Sequence, residues 1–122
     1  MQLLKPMPTD VRTLEEQLNA KLLAGRFLEA YEEYYSEDAM EPRRARRGLH
    51  VGSDYARALA FFGWVETFLG AFPVRSVTAR DTSYSEWIVS RRPRAGRQGG
   101  TQVVARRWRD GKVVRERFVN RV

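Results

Sequence analysis

Val104-Ala105-Arg106-Arg107-Trp108-Arg109-Asp110-Gly111-Lys112-Val113-Val114-Arg115-Glu116-Arg117-Phe118 decides how this chain is read. Its centre, Asp110-Gly111, is the strongest short hairpin signal there is, because a two-residue type I′ turn needs positive φ at both central positions. Strands are therefore expected over 101–109 and 112–121. With a regular turn, Arg109 faces Lys112, Arg107 faces Val114, Ala105 faces Glu116 and Val103 faces Phe118. One face then carries Val103, Ala105, Arg107, Val114, Glu116 and Phe118, and the other carries Val104, Arg106, Trp108, Val113, Arg115 and Arg117. The first is the better core face. It sets Glu116 among small apolar residues, diagonal to Arg107, where a carboxylate must be paired, hydrogen-bonded or protonated. The second face, with Trp108 among arginines, reads as solvated or as a dimer surface, and the enrichment of Trp and Arg at interface cores favours the dimer.

Upstream of this hairpin the two-residue alternation continues, with strands expected over 74–80 and 83–90, joined near Asp81-Thr82, and a loop over 93–100. In the second of these strands either Tyr84, Glu86 and Ile88 or Ser85, Trp87 and Val89 face inward, so Glu86 or Trp87 lines the interior but not both. Before residue 74 the period changes to that of helices. Pro6 and Pro8 make an extended lead-in over residues 1–9, and Asp10 or Thr13 caps a helix carrying Val11, Leu14 and Leu18, with Glu15 and Glu16 in its early turns. Leu23, Phe27, Tyr31 and Tyr34 continue the stripe past Gly25 as a second helix or a bent first one. Ala39-Met40-Glu41-Pro42 reads as extended, since the residue before proline is pushed toward β. Ser53 or Asp54 opens a third helix whose apolar set includes Tyr55, Leu59, Phe61, Phe62, Trp64, Val65 and Phe68, and Gly70 and Pro73 close it. Helices first and sheet second, without βαβ alternation, define an α+β domain over 10–122 with helices on one face of a curved antiparallel sheet.

Composition narrows the chemistry. The chain has 122 residues, 43% hydrophobic and 30% charged, which is one globular domain by size and composition. It has no cysteine and one histidine, His50. Disulfides, a thiol nucleophile and a multi-histidine metal site are thereby excluded, and no metal or other cofactor is expected. No glycine-rich phosphate cradle points to a nucleotide cofactor. No apolar run is long enough to span a membrane, and the first residues lack the apolar core of a cleaved signal, so a cytoplasmic location is expected. The net charge of +7 is carried almost wholly by arginine, since only Lys5, Lys21 and Lys112 are lysines. Charge alone raises an anion or nucleic-acid partner, using Arg43 to Arg47 and Arg91 to Arg97, but without a recognition motif nucleic acid is disfavoured.

Three stretches together resemble the SnoaL-like branch of the nuclear transport factor two-like superfamily: Tyr34-Tyr35-Ser36-Glu37-Asp38-Ala39 after an amphipathic helix, Ser85-Glu86-Trp87 in mid-sheet, and the 106–118 hairpin. The resemblance spans roughly residues 10–120. It implies a cone-shaped half-barrel in which three N-terminal helices close a strongly curved antiparallel sheet around an apolar pocket, and a homodimer through the convex sheet face. In ketosteroid-isomerase-like members a carboxylate before a proline, after the second helix, shuttles the proton, and Glu41-Pro42 stands at the matching place. The sheet aspartate that those members use beside a tyrosine has no counterpart between Ser83 and Arg109.

Glu41, Glu86 and Glu116 are accordingly the candidate acid/base residues. Tyr31, Tyr34, Tyr55, Phe61, Trp64, Phe68, Trp87, Arg107 and Phe118 are candidates for the ligand wall, and Trp108, Arg106 and Arg115 for the dimer face. The function expected is binding of a small apolar or aromatic ligand, with room for metal-free isomerase, dehydratase or cyclase chemistry. A non-catalytic dimeric binding module or an engineered scaffold of the same fold is the alternative, and an arginine-based anion binder the third.

Overall fold

The structure, a computed structural model, describes residues 10–40, 53–89 and 100–121. The first helix, α1 (Val11–Leu23), is capped by Asp10, whose side chain accepts from the Thr13 backbone N–H at 2.9 Å. Gly25, at φ +81°, turns the chain into α2 (Phe27–Tyr34), so the stripe is two helices and not one bent one. Ala39 and Met40, expected to be extended, belong instead to a 3-10 turn, Glu37–Met40, and Glu41-Pro42 lie outside the described residues. The helix α3 (Ser53–Phe68) follows, and the cap side chains expected at Ser53 and Asp54 lie outside the described residues.

Four antiparallel strands complete the chain: β1 (Phe72–Ala79), β2 (Thr82–Val89), β3 (Gly100–Arg109) and β4 (Lys112–Arg121), in the spatial order β1-β2-β3-β4. The sheet is curved and unclosed, and the helices cover one of its faces. At the hairpin Asp110 and Gly111 take φ of 52° and 80°, the two positive values that a type I′ turn requires. Arg109 pairs with Lys112, as the turn dictates.

One step further the register departs from the regular one. Trp108 pairs with Val113 but Arg107 pairs with Arg115, so β4 carries one extra residue, Val114, as a β-bulge. The bulge exchanges the faces. Val104, Arg106, Trp108, Val113, Glu116 and Phe118 share the helix-covered side, and Arg107, Arg115 and Arg117 the outer one. The face of β3 assigned from a regular hairpin is thus corrected, whereas Glu116 and Phe118 keep their inward place because they lie beyond the bulge. The kink sits where α2 meets the sheet: Tyr35 bridges Val113, and the Ser36 N–H donates to the Val113 carbonyl at 3.0 Å.

The core between helices and sheet holds Leu18, Leu22, Ala30, Tyr34, Tyr35, Trp64, Phe68, Ala71, Trp87, Val104, Trp108 and Val113. Tryptophan and tyrosine rings dominate it, each bringing a large apolar area and a polar atom that needs a partner. Tyr34 hands its hydroxyl to Gln17, and Trp108 gives its indole N–H to Ser83 at 3.0 Å.

Candidate functional site

On the inner face of the sheet a rung of polar side chains crosses three strands, Ser83 on β2, Arg106 on β3 and Glu116 on β4. Each follows from strand alternation: Ser83, Ser85 and Trp87 face the helices together, as do Val104, Arg106 and Trp108. From the helix side, α1 contributes Glu15 and Asn19, one turn apart on the face that also carries Leu18 and Leu22.

Arg106 is the hub. Its side chain is wholly buried, with Nη1 donating to Glu15 Oε2 at 2.8 Å and to Asn19 Oδ1 at 2.9 Å, and Nε donating to Glu116 Oε2 at 2.8 Å. Glu15 also accepts from the hydroxyls of Ser83, at 2.6 Å, and Ser85. Ser85 meets Ser76 at 2.7 Å and accepts from Asn19 at 2.9 Å. The guanidinium lies 5.7 Å from the centre of the Phe68 ring. Burial opposes the positive charge of Arg106, but Tyr35, Glu15 and Glu116 outweigh it and hold the group charged beyond its usual range. One guanidinium serves two carboxyl groups, and the neutral donors Ser83, Ser85, Tyr35 and Trp64 also bond to their oxygens.

Glu116 forms the second half of the site. Oε2 accepts from the Tyr35 hydroxyl at 2.5 Å as well as from Arg106, and Oε1 accepts from the Trp64 indole N–H at 2.9 Å. Burial pushes the Tyr35 phenol well above its ordinary value, the Arg106 charge counteracts this, and Glu116 adds to the rise. Tyr35 is therefore a hydrogen-bond donor throughout the physiological range. Around this pair the rings form a continuous wall: Tyr35 on Trp64 at 5.1 Å, Tyr31 on Phe61 at 5.4 Å, Trp64 on Phe68 at 5.6 Å, Phe68 on Trp87 at 4.9 Å and on Phe118 at 5.8 Å. Tyr31, Phe61 and Phe118 are part-exposed on this wall. Among the described residues the buried Trp87 Nε1 and Arg106 Nη2 have no hydrogen-bond partner.

The expected site residues thus divide. Glu116, Tyr31, Phe61, Trp64, Phe68, Trp87 and Phe118 come together. Tyr34 packs behind them against Trp108, and Tyr55 stands exposed on α3. Glu86 is on the outer face, held by Arg75 at 2.7 Å, so Trp87 and not Glu86 takes the inward place. Arg107 is outside, 3.5 Å from Asp81, and the partner expected of it for Glu116 is Arg106 instead. Of the three residues expected on the outer face, Arg115 is there, whereas Arg106 and Trp108 are buried beneath the helices. Glu41, with Arg43 to Arg47, His50 and Arg91 to Arg97, lies outside the described residues. Reading along the sequence missed Glu15, taken for an acid favoured by the helix dipole, although a signal was present. Val11, Glu15, Leu18 and Leu22 recur at spacings of four, three and four, so Glu15 occupies an apolar register and needs a buried partner.

No protein-family model and no curated protein matches the chain. Solved structures do. An NTF-2-like protein of unknown function from Burkholderia xenovorans LB400 superimposes with a TM-score of 0.57 at 21% identity, over 91% of this chain and 84% of its own. A protein from Mesorhizobium loti described as a putative SnoaL-like polyketide cyclase [carbohydrate phosphatase] does so with a TM-score of 0.53 at 17% identity, over 90% of this chain and 98% of its own. The chain therefore has the nuclear transport factor two-like α+β fold. More particularly, its fold is similar to that of the SnoaL-like protein. Among the described residues no helix is long and apolar enough to cross a membrane, and no cluster of side chains could hold a metal ion.

Proposed function

We propose that this chain binds a small apolar or aromatic molecule against the ring wall of Tyr31, Phe61, Phe68 and Phe118, with Glu116 as the group that meets the ligand's polar atom. One observation carries the reading: a carboxylate is held inside an aromatic wall by three donors, Tyr35, Trp64 and Arg106. Placing an ionisable group there costs desolvation that an all-apolar core would not incur. The donors fix its orientation and leave Oε1 with a lone pair free to accept from, or take a proton from, a ligand. Tyr35, kept protonated, holds that carboxylate in place and is not itself the base. Isomerisation, dehydration or cyclisation through a proton shift at carbon is the chemistry such a group can serve without a metal.

Displacement of a bulky apolar fluorescent dye tests the binding step. Saturable binding in wild type that Phe61→Glu abolishes in a folded protein supports it, and dye binding indifferent to Phe61→Glu sinks it. Glu116→Gln tests the chemistry in a screen of enolisable ketones. Turnover lost with dye binding kept makes Glu116 the acid/base residue, and turnover kept in the variant removes it from that role.

A further inference from the structure

The outer face of the sheet carries a separate feature. Past the Val114 bulge, β4 sends Arg115 and Arg117 outward, and the strand register sets Arg107 of β3 directly opposite Arg115. Like charges facing each other across a strand pair repel, so this arrangement costs stability unless something neutralises it. Asp81 stands 3.5 Å from Arg107, with both side chains more than half exposed, and a pair so solvated is weak. Among the described residues no acidic side chain pairs with Arg115 or Arg117. The three arginines, with Thr82, Tyr84 and Ala105, line an open groove of about 310 Å³. Its floor is the outer face of β2, β3 and the edge strand β4, so the three arginines stand on hydrogen-bonded strand backbone.

We infer that this groove is a binding site for a compact anion bearing two or more phosphate groups, gripped by Arg107, Arg115 and Arg117. Each planar guanidinium presents paired N–H donors that match phosphate oxygens two at a time. Three positive groups call for a ligand of at least comparable negative charge, and a volume of about 310 Å³ accommodates a di- or triphosphate unit. A second copy of the chain docked with its two-fold axis through the groove would set these arginines near their own symmetry mates, whereas a polyphosphate removes the repulsion. The groove is on the opposite side of the sheet from Glu116, so this site stands or falls independently of the ligand wall.

Isothermal titration of the full chain with inorganic tripolyphosphate, at moderate and at high salt, tests the assignment. The expected result is one saturable site per chain, weakened by salt. Arg115→Ser and Arg117→Ser should each weaken it roughly tenfold to a hundredfold, as for a lost hydrogen bond between charged groups. Arg12→Ser, an exposed arginine on α1, should leave it unchanged. Equal loss in the Arg12→Ser control, or no saturable binding at moderate salt, overturns the site. A single-stranded oligonucleotide that binds more tightly as it lengthens, and outcompetes tripolyphosphate, overturns the compact ligand in favour of a nucleic-acid backbone. Sedimentation showing a dimer that Arg115→Glu disrupts and tripolyphosphate does not would assign the face to a second copy instead.

Discussion

Arg106 and Arg107 are neighbours in the chain and opposites in the molecule. Arg106 points into the core, wholly buried, shared between two carboxylates and an amide; Arg107 points to solvent and brushes one exposed aspartate at 3.5 Å. Identical side chains one residue apart thus do different work, because strand alternation sends consecutive residues to opposite faces. In the interior a guanidinium serves as structure, since removing it strands two buried acids. Outside, it is free to serve a ligand.

The contrast can be broken by substitution. Arg106→Met should cost about 3–5 kcal/mol, the loss typical of breaking a buried pair by removing one partner, and urea denaturation would show it as a sharply lower midpoint or as failure to fold. Should that variant not fold, Glu15→Gln gives the same information more gently. It keeps the shape while weakening the bonds to Arg106, Ser83 and Ser85, for an expected loss of about 2–3 kcal/mol. A loss near zero for either would mean that the buried group is not the structural hub its geometry describes.

A pH titration sharpens the contrast. Because the folded-state pKa of Tyr35 is raised, its contribution to stability is fully present below about pH 10, the value in the unfolded chain, and is lost as pH rises beyond that toward the folded pKa. Between those points the folded state holds one proton more, so stability should fall by up to about 1.4 kcal/mol per pH unit from this group. Tyr35→Phe should remove that part of the slope in denaturation curves taken at pH 9 and pH 11. An unchanged slope would place the ionising group elsewhere. The smallest expected effect is that of Arg107→Met, within about 0.5 kcal/mol of wild type, since its only partner among the described residues is an exposed one. A large loss there would erase the distinction between the two arginines.

Much of this molecule was legible before any fold was known. Asp110-Gly111 placed the hairpin, Asp10 or Thr13 marked the start of the first helix, and Gly25 marked a break or a bend in the helical stripe. Glu116 stood out as an acid in apolar company. The partner of that acid was misread, as Arg107 for Arg106, and Glu15 was overlooked. The two errors have different sources. The Val114 bulge leaves no local trace in a run of Val113-Val114-Arg115 that alternates acceptably in either register, and the buried cluster joins residues 91 positions apart.

Turn chemistry, helix caps and hydrophobic period are local, acting over a few residues, and so the sequence by itself determined the order of helices before strands and the α+β class. Which arginine is inside, which tryptophan of the pair Trp87 and Trp108 meets a hydroxyl and which has an unpartnered N–H, and that Glu15 joins Glu116 around one charge, only the tertiary structure decided. Burial and ion pairing depend on what arrives from the far end of the chain. A single extra residue in one strand is enough to exchange the two faces on which those partners are chosen.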